Sequence, residues 1–407
     1  MLYDDGAIHL IRRRVNAMIL IDFLDNNVKD TLILVKSLRP SKFILVADKA
    51  EEAIRTEGME AACLAIARED GFNLDVELVS LDARDALGIM AAVEDAVKGA
   101  TAEVYINLSC ENDLMTACAY NICTKTPVNP SVAAVPVCVD TRAGSIRNVQ
   151  TMEEIAEIRH LKIDDFLVAV GGKELEASRD LPDESEYDAV CTIAEELFKN
   201  VYVWNMLCTY IGKHYSHDTD RVTIPANLGT KEGKAEAETV CRQLKAFCTG
   251  GILENLGNDE YRFTSEKHKG WMVVFGVWLE MYIYIRIKPY VDEVRLGLVV
   301  DWDAGDNYDT KDNELDVVAI KNSRPIVISC KMRMPTKEDI YEVGYISDRI
   351  GGNAGQPAIA TTSIINHKET YKPGLFPRFK KMEIGLLETI DLRKGEDARR
   401  EAFEELF

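Results

Sequence analysis

Two short strand-like runs near the C-terminus carry the side-chain types needed to cut a phosphodiester. Residues 314–320 include two carboxylates, residues 326–331 end in a lysine, and a turn-like segment at 321–325 joins them. Apolar runs flanking Asn, Ser and Pro predict a β-hairpin. A carboxylate that holds a divalent cation, beside an ammonium group that stabilises negative charge, is the minimum equipment for phosphodiester hydrolysis. The hairpin is therefore a candidate nuclease site, and the alternative is an ordinary hairpin with one polar, solvated face.

The pairing of the two strands decides which of these side chains meet. A two-residue turn at residues 322–323 would place Asp316 opposite Ser329. The same register would place Glu314 opposite Lys331. Because side chains alternate along a strand, all four would then lie on one face of the hairpin.

An apolar segment upstream of the hairpin contains a single formal charge, Glu280. Residues 271–285 are otherwise apolar and predict one buried helix. A carboxylate in such a place is destabilising unless a cation meets it. A metal ion or Lys331 would be a suitable partner. The alternatives are a salt bridge with Arg286 or Lys288, or a Glu280 side chain that reaches the surface.

The order of these elements, a helix with Glu, a strand with Asp and a strand ending in Lys, resembles the PD-(D/E)xK nuclease superfamily. In that superfamily the residue two positions before the lysine is usually Asp or Glu, whereas here it is Ser329. The motifs Asn-Glu-Leu-Asp and Ile-Ser-Cys-Lys are similar to a variant found in one branch, the CRISPR ancillary nucleases. The resemblance implies catalytic roles for Glu280, Asp316, Ser329 and Lys331. It also implies a Mn²⁺ or Mg²⁺ ion held by Glu280, Asp316 and the backbone carbonyl of Cys330, with Ser329 reaching the metal through water.

Length and composition predict a protein of two or three domains. The chain has 407 residues and 47% apolar content, enough for several cores. Ten scattered cysteines without Cys-x-x-Cys pairs predict free thiols in a reducing compartment. The apolar runs are shorter than the roughly 20 residues of a membrane helix, and a signal-peptide pattern is missing. We therefore expect a cytoplasmic protein without a membrane partner, and translation that starts at Met18.

The chain is strongly acidic, with a formal net charge of −20 from 68 acidic and 48 basic side chains. A protein that holds nucleic acid through phosphate contacts normally has a basic surface, because counterion release drives association. The conflict is smaller if metal ions neutralise acidic residues and basic residues cluster locally. We expect weak, salt-sensitive substrate binding. The candidates for the basic cluster are Lys331, Arg333, Lys337, Arg378, Lys380 and Lys381.

Short apolar strands alternate with helical stretches between residues 18 and 150. This alternation predicts an α/β fold with a mostly parallel sheet, in which ligands gather beyond the C-terminal ends of the strands. No Gly-x-Gly-x-x-Gly follows the first strand, which disfavours a nicotinamide or flavin site. The predicted strands are 18–23, 42–46, 76–81, 104–108 and 134–139, and the predicted helices include 50–69 and 85–97. The candidate ligand loops are 24–27, 47–49 and 109–113.

The segment 107–115 reads Asn-Leu-Ser-Cys-Glu-Asn-Asp-Leu-Met. It resembles the ligand loop of CARF domains, the CRISPR-associated Rossmann-fold sensors of cyclic oligoadenylate, which typically reads Asn-x-Thr-Gly-Gly-Thr-Lys-x-Met. Asn107, Ser109 and Met115 agree with this pattern, while residues 110–113 depart from it. The loss of two glycines restricts the approach of the backbone to a phosphate, and Asp113 in place of Lys puts negative charge near a polyanion.

The resemblance to CARF domains implies a ligand-binding set in two loops of the sensor. The alternative is a plain loop between strand and helix, with Ser109 or Asn112 as the N-cap. The departures from the pattern leave open a different ring size or pose, another ligand, or none. The predicted ligand-binding residues are Asp25, Asn26, Asn27, Asn107, Ser109 and Asn112.

The middle of the chain predicts a connector of a different type. Residues 150–185 are charged and predicted helical, and residues 187–214 and 235–248 predict two further helices. A small hairpin at 252–263 follows the second helix. Helix followed by a two-stranded wing resembles a winged helix, which either enters a DNA groove or acts as a spacer. The acidic face of the helix favours the spacer.

These parts together resemble the CRISPR ancillary nucleases in order and number. The predicted domains are a Rossmann-like CARF sensor at 1–160, a winged-helix-like connector at 185–263 and a PD-(D/E)xK nuclease-like domain at 264–407. The resemblance implies a homodimer that binds one cyclic oligoadenylate, with tetra-adenylate as the expected ring, across its two-fold axis. The ligand would change how the nuclease domains sit. The expected substrates are single-stranded DNA, nicked or supercoiled DNA, and RNA.

Two other functions are compatible with the same parts. The chain would be a ligand-responsive transcription regulator if the winged helix reads DNA and the nuclease domain is inactive, which Ser329 slightly favours. A DNA reader needs Arg and Lys on its recognition helix, and Arg242 with Lys245 is thin support. Alternatively, the sensor domain itself would cleave cyclic oligoadenylate, although its loop lacks the usual lysine.

Overall fold

The computed structural model of the chain divides into two compact units, Met1–Leu161 and Lys162–Phe407. This division lies one residue after residue 160, the predicted end of the sensor domain. The structure describes residues 18–50, 53–98, 100, 102–110, 112–124, 134–175, 180–216, 218–228, 234–302, 313–365, 375–404 and 406. Residues 1–17, on which the predicted start at Met18 depends, and Glu111 of the sensor loop lie outside this set.

The first unit alternates strands and helices, as its apolar pattern predicts. Apolar strand residues such as Leu20, Ile21 and Phe43 are fully buried, which explains why the strands lack polar alternation. The elements are β1 (Met18–Phe23), α1 (Val28–Leu38), β2 (Lys42–Asp48), α2 (Ala53–Glu69), β3 (Asp75–Leu81), α3 (Ala86–Lys98), β4 (Glu103–Asn107), α4 (Asp113–Thr124), β5 (Ala134–Asp140), β6 (Ser145–Asn148) and β7 (Glu154–Glu157).

These strands form one sheet in the order β3-β2-β1-β4-β5-β6-β7. The first five are parallel to one another, β6 pairs antiparallel with β5, and β7 pairs antiparallel with β6. The order reverses between β1 and β4, which makes their carboxyl ends the switch point where ligands of open α/β sheets bind. The two loops with the predicted ligand-binding residues follow these two strands.

The second unit has a helical part followed by a mixed sheet. Its described elements are α5 (Ile163–Ala169), β8 (Lys173–Glu174), α6 (Tyr187–Phe198), α7 (Val201–His214), β9 (Arg221–Thr223), α8 (Lys234–Thr249), β10 (Leu253–Gly257), β11 (Glu260–Phe263), α9 (Glu266–Val273), α10 (Val277–Ile287), β12 (Glu293–Asp301), β13 (Asn313–Lys321), β14 (Arg324–Lys331), α11 (Lys337–Gly351), β15 (Gln356–Thr361), α12 (Phe376–Lys381), β16 (Gly385–Glu388), α13 (Thr389–Leu392) and α14 (Glu396–Glu404).

Two sheets organise these elements. The larger has the order β16-β15-β14-β13-β12-β8, with antiparallel pairs from β8 to β14 and parallel pairs from β14 to β16. The smaller has the order β10-β11-β9, so the predicted hairpin at 252–263 is confirmed and a third strand joins it. The winged-helix assignment itself stays a prediction.

One hydrophobic core joins helices α6 to α10 to one face of the larger sheet. Trp204 of α7, Phe247 of α8 and Trp278 of α10 are fully buried. The Phe247 ring centroid lies 5.6 Å from that of Trp204 and 5.2 Å from that of Trp278. The same core continues to the sheet residues Val317 and Ile328. The segments predicted as connector and nuclease domain therefore share their core.

Three expectations about local structure are wrong. Residues 150–185 are not helical throughout, because β7 pairs with β6 and adds a strand to the first sheet. The stretch 187–214 is two helices, since Asn200 caps α7 by accepting a hydrogen bond from the Val203 amide. The stretch 271–285 is also interrupted, between α9 and α10.

The described residues contain no single helix that is long and apolar enough to cross a membrane. Helix α9 and the helical segment 277–290 together have the length and apolar composition of a membrane span, but the two are bent by 112° at the break between them. All ten cysteines are free thiols, as predicted.

Candidate functional site

The hairpin of β13 and β14 has the predicted register. Asn322 and Ser323 form a two-residue turn, and both have positive φ angles, 50° and 59°. Lys321 pairs with Arg324, and the pairs continue to Val317 and Ile328. One step further, this register aligns Asp316 with Ser329. The predicted turn and register are therefore confirmed as far as Val317 and Ile328, and the pairing of Glu314 with Lys331 stays a prediction.

The regular backbone pairing between β13 and β14 ends at Val317 and Ile328, next to the candidate catalytic residues. The amide of Cys330 donates to Asp316 Oδ2 at 2.6 Å, and Ser329 Oγ donates to the same oxygen at 3.4 Å. A carboxylate thus takes the place that a backbone carbonyl holds elsewhere in the ladder. Ser329 and Cys330 still pair with β15, so β14 keeps its other neighbour. The structure brings Asp316, Ser329 and Cys330 together at the end of the paired hairpin.

Lys331 lies at the end of β14, next to the start of α11. Its Nζ is 4.0 Å from Asp339 Oδ1, and its side chain is about a quarter exposed. Asp339 also makes a two-armed pair with Arg333, at 2.7 and 2.9 Å. Burial opposes ionisation of Asp339, but the hydrogen bonds from Arg333 and the Thr336 amide outweigh it and lower the pKa of this carboxyl. Asp339 therefore stays ionised and holds Lys331 near the hairpin.

Glu280 lies in the first turn of α10 and is buried. On the helix it shares a stripe with Ile283 and Ile287 by its i, i+3, i+7 spacing. The opposite side of α10 packs on the helices: Tyr282 stacks edge-on against Phe198. Glu280 therefore lies on the side of α10 away from Phe198. The alternative of a salt bridge with Arg286 or Lys288 is wrong, because Arg286 pairs with Glu195 and Lys288 pairs with Glu184.

Helix α10, which carries Glu280, and the Asp316 carboxylate lie on different faces of the larger sheet. Val317, Ile328 and Cys330 belong to the core that contains α10. Since side chains alternate, Asp316 and Ser329 point to the other face, which α11 covers. The convergence of Glu280 with the hairpin on one metal ion stays a prediction. Among the described residues, no group of three His, Cys, Asp or Glu side chains is placed to hold a metal ion.

The sensor loops meet at the switch point of the first sheet. Asn27 Nδ2 donates to Asp30 Oδ2 at 3.0 Å and to the Ser109 carbonyl at 3.4 Å. Asn107 Oδ1 accepts from the Ser109 amide at 2.9 Å. The structure thus joins Asn27, Asn107 and Ser109 in one network.

Other predicted ligand-binding residues have local structural roles. Asn112 Oδ1 accepts from the amides of Leu114 and Met115, both at 3.1 Å, so the N-cap alternative describes this residue correctly. Asp25 Oδ1 accepts from the Asn27 amide at 2.7 Å. Asn26 is exposed at the tip of its loop.

Asp22 is a site residue that sequence reasoning missed. It is fully buried at the end of β1, and its Oδ1 accepts from Asn107 Nδ2 at 2.8 Å and from the Phe23 amide at 2.7 Å. Burial raises the pKa of Asp22 to about 7, although the Asn107 hydrogen bond opposes this. The signal was present: Asp22 is the only charge in Met-Ile-Leu-Ile-Asp-Phe, as Glu280 is in its segment.

Acidic and basic side chains meet near the switch point. Asp22, Asp25 and Asp30 lie there, Lys29 Nζ is 3.4 Å from Asp30 Oδ1, and Arg55 donates to the Asp25 carbonyl at 2.7 Å. Burial raises the pKa of Asp30. Burial raises the pKa of the Cys110 thiol, with the neighbouring carboxylates adding to the shift, so this thiol is not an activated nucleophile. A polyanion here would need cations or backbone amides to offset the repulsion.

The connector offers little for DNA reading. Arg242 of α8 pairs with Glu196 at 3.3 Å and donates to Thr239 at 3.0 Å. The guanidinium therefore already has two partners within the protein, although the Arg242 side chain is 57% exposed. This geometry does not favour the transcription-regulator alternative.

Residues 268–370 match the family model described as the Card1-like endonuclease domain. Protein VC1899 from Vibrio cholerae matches with a TM-score of 0.72 and 15% identity, over 96% of this chain and 98% of that one. Can2 from Sulfobacillus thermosulfidooxidans, solved in complex with cyclic tetra-adenylate, matches with a TM-score of 0.63, 15% identity and the same coverage. No curated protein matches the chain.

At 15% identity the two structures establish a shared fold. The family model covers the hairpin with Asp316, Ser329 and Lys331, and the helix with Glu280. The predicted resemblance to the CRISPR ancillary nucleases is confirmed: residues 268–370 match the Card1-like endonuclease domain, and the chain shares its fold with Can2.

Proposed function

We propose that this protein is a divalent-metal-dependent nuclease activated by a cyclic oligoadenylate. The single observation that supports the nuclease most is the cluster of Asp316, Ser329 and Cys330 at the end of the paired hairpin, inside the Card1-like endonuclease domain. The bound ligand of Can2, whose fold the chain shares, supports the activator.

The oxygen donors at the hairpin fit a hard divalent cation. Mg²⁺ and Mn²⁺ take carboxylate, carbonyl and water oxygens, and Mg²⁺ usually keeps several waters while one or two carboxylates and a substrate phosphate complete its shell. Asp316 and the carbonyl of Cys330 would hold the ion, and Ser329 would contact it through water. Glu280 would be the second carboxylate only if its side chain reaches the ion past the end of the paired strands, because α10 packs on the other face of the sheet. When bound, such an ion polarises the phosphate and lowers the pKa of a bound water.

The remaining chemistry belongs to the side chains of the chain. Lys331, kept near the hairpin by Asp339, would stabilise the negative charge that develops on the phosphate oxygens. The Cys330 amide and the Ser329 hydroxyl orient the Asp316 carboxylate. Since the Arg333 pair keeps Asp339 ionised, Lys331 has a fixed counter-charge and a defined position before substrate arrives.

The sensor is proposed to bind cyclic tetra-adenylate at the switch point between β1 and β4, through Asn27, Asn107 and Ser109. Asn27 already bridges the two loops by donating to the Ser109 carbonyl. The acidic side chains around it predict weaker binding than a basic loop would give. By resemblance, a homodimer would share one ligand, and ligand binding would bias the arrangement of its nuclease domains.

Cleavage assays test the nuclease. Full-length protein is incubated with circular single-stranded DNA, supercoiled plasmid and RNA, with Mn²⁺, Mg²⁺ or EDTA, and with or without cyclic tetra- or hexa-adenylate. We expect metal-dependent cleavage that Asp316→Ala and Lys331→Ala abolish. Lys321→Ala, at the turn end of the same hairpin, is the matched control and should cut normally. Retained activity in either site variant would refute the assigned roles.

A separate measurement tests the sensor. Isothermal titration of cyclic tetra-adenylate into Asp316→Ala protein measures binding without cleavage of substrate. Asn27→Ala removes the side-chain bridge between the two loops and should weaken binding. Metal-dependent cutting that no cyclic nucleotide changes would support the nuclease and refute the sensor.

A further inference from the structure

An exposed pair of tyrosines lies on α11, beside the candidate nuclease site. The side chains of Tyr341 and Tyr345 are 52% and 65% exposed, among the highest values for large apolar residues in the described chain. They are four residues apart on one helix, so they lie on the same side, separated by a rise of about 6 Å. Each ring leaves a large apolar surface in solvent, which is unfavourable unless a partner covers it.

Basic side chains of α12 stand next to these tyrosines. Arg378 Nη1 donates to the hydroxyl oxygen of Tyr341 at 3.1 Å. Gly344, between the two tyrosines, faces Met382 at the end of α12: a Cβ at this glycine would lie 3.7 Å from the methionine methyl carbon. Lys380 and Lys381 of α12 are exposed. The two helices therefore form one surface of two aromatic rings with cations beside them, here called the Tyr-Arg surface and defined by Tyr341, Tyr345, Arg378 and Lys381. The exposed acids Glu338 and Asp348 lie on the same side of α11.

The Tyr-Arg surface is connected to the nuclease site through a single helix. Asp339, in the first turn of α11, is 4.0 Å from Lys331. Tyr341 follows two residues later, and Tyr345 lies about 9 Å further along the helix axis than Asp339. A strand whose phosphate reaches Lys331 would be within a few nucleotides of both rings.

We propose that the Tyr-Arg surface binds single-stranded nucleic acid by base stacking, next to the bond that is cut. This inference rests on the proposed nuclease function and adds the part of the protein that holds the substrate strand. Aromatic rings stack on any base because every base has a π-face, and arginine beside a ring adds a contact to phosphate or base. Double-stranded substrates keep their bases stacked on each other, so the surface selects unpaired strands.

The acidity of the chain supports stacking as the main source of affinity. A net charge of −20 opposes binding that depends on phosphate contacts alone. Stacking depends on ring contact rather than on charge, so it operates despite that repulsion. Binding through the Tyr-Arg surface should accordingly lose less affinity with added salt than binding through phosphate contacts would.

The test is a binding assay on full-length protein with cleavage switched off. Fluorescence anisotropy of a labelled homothymidine oligonucleotide is measured in EDTA, in the Asp316→Ala background. Combining Tyr341→Ala with Tyr345→Ala should weaken binding about 5-fold to 100-fold for each ring removed from a base. Tyr341→Phe with Tyr345→Phe should bind nearly as well as the parent, because the ring and not the hydroxyl stacks. Arg378→Gln should weaken binding and lower its salt dependence.

The controls separate this inference from the nuclease proposal. Tyr202 of α7 is 61% exposed in the same unit, and Tyr202→Ala is the matched substitution that should leave binding unchanged. Unchanged binding in the double alanine variant would overturn the inference, even if the protein cuts DNA. The inference would also be overturned if the double alanine variant changes only the oligomeric state of the protein, measured by light scattering. Weakened binding in a protein that never cleaves would retain the surface and refute the nuclease.

Discussion

Asp22→Asn should change the pH dependence of the stability of the first unit. Asp22 is fully buried and its pKa is raised from 3.8 to about 7. A carboxyl whose pKa is raised by folding stabilises the folded protein fully below pH 3.8, and this contribution is lost as pH rises to about 7. Between these limits the unfolded chain has released the proton and the folded chain keeps it. Wild-type stability should therefore fall by about 1.4 kcal/mol per pH unit from this group.

The size of the expected stability change follows from the pH range in which only the unfolded chain has released the Asp22 proton. From pH 5 to pH 7 the wild type should lose roughly 2 kcal/mol relative to Asp22→Asn, which cannot ionise. The variant keeps the Oδ1 acceptor for Asn107 and the Phe23 amide, so the constant part of its effect cancels when two pH values are compared. Above about pH 7 the difference should stay level, because Asp22 is then ionised in both states.

Hydrogen exchange measured by mass spectrometry provides the assay, since it reports on each unit separately. Wild type and variant are compared at each pH, so the intrinsic pH dependence of exchange cancels. Peptides from β1 and β4 should become more protected in the variant than in the wild type as pH rises. Peptides from the second unit serve as the internal control. A stability difference that does not change between pH 5 and pH 7 would refute the burial of an uncompensated carboxyl at this position.

Three other substitutions test separate parts of the chain. Arg333→Ala leaves Asp339 buried without its two-armed partner and should destabilise the second unit by about 1–3 kcal/mol at pH 7. The pKa of Asp339 is lowered in the folded protein, so the stability that its ionised form contributes is lost as pH falls, and the stability of the variant should approach that of the wild type in acid. Urea unfolding followed by fluorescence measures the stability of both proteins. An equal loss of stability at all pH values would contradict this prediction. Ser329→Asp adds a carboxylate beside Asp316 and should lower the Mn²⁺ concentration for half-maximal cleavage roughly tenfold, unless the hairpin does not hold the metal. Asp25→Asn removes a negative charge at the switch point and should strengthen binding of cyclic tetra-adenylate severalfold at low salt, with Asp75→Asn at the start of β3 as a control that has no effect.

Local turn chemistry made the hairpin predictable. Asn322 and Ser323 lie between two apolar runs, and a two-residue turn fixes the register of everything that follows. That register is enough to pair Asp316 with Ser329 from the sequence alone. The alternation of strands and helices in the first unit was readable for the same reason, because each apolar run is bounded by polar or turn residues.

Tertiary contacts explain what the sequence did not reveal. The break between α9 and α10 frees backbone carbonyls, and indole groups satisfy two of them: Trp204 Nε1 donates to the carbonyl of Phe275, and Trp278 Nε1 donates to that of Trp271. Neither contact is visible in an apolar run read as a continuous helix. Asp339 was missed as a partner of Lys331 because its position depends on how α11 packs on the sheet.

The continuous core of the second unit bears on how this protein can be dissected in the laboratory. Trp278 packs on Phe247, which precedes the stretch that matches the endonuclease family, and Phe403, which follows it, is also fully buried. A fragment trimmed to the matched residues would expose these faces to water and lose its fold. Recombinant work on the catalytic half should therefore keep everything from α5 to α14 in one polypeptide, because the compact unit begins at Lys162 and its edge strand β8 pairs with β12.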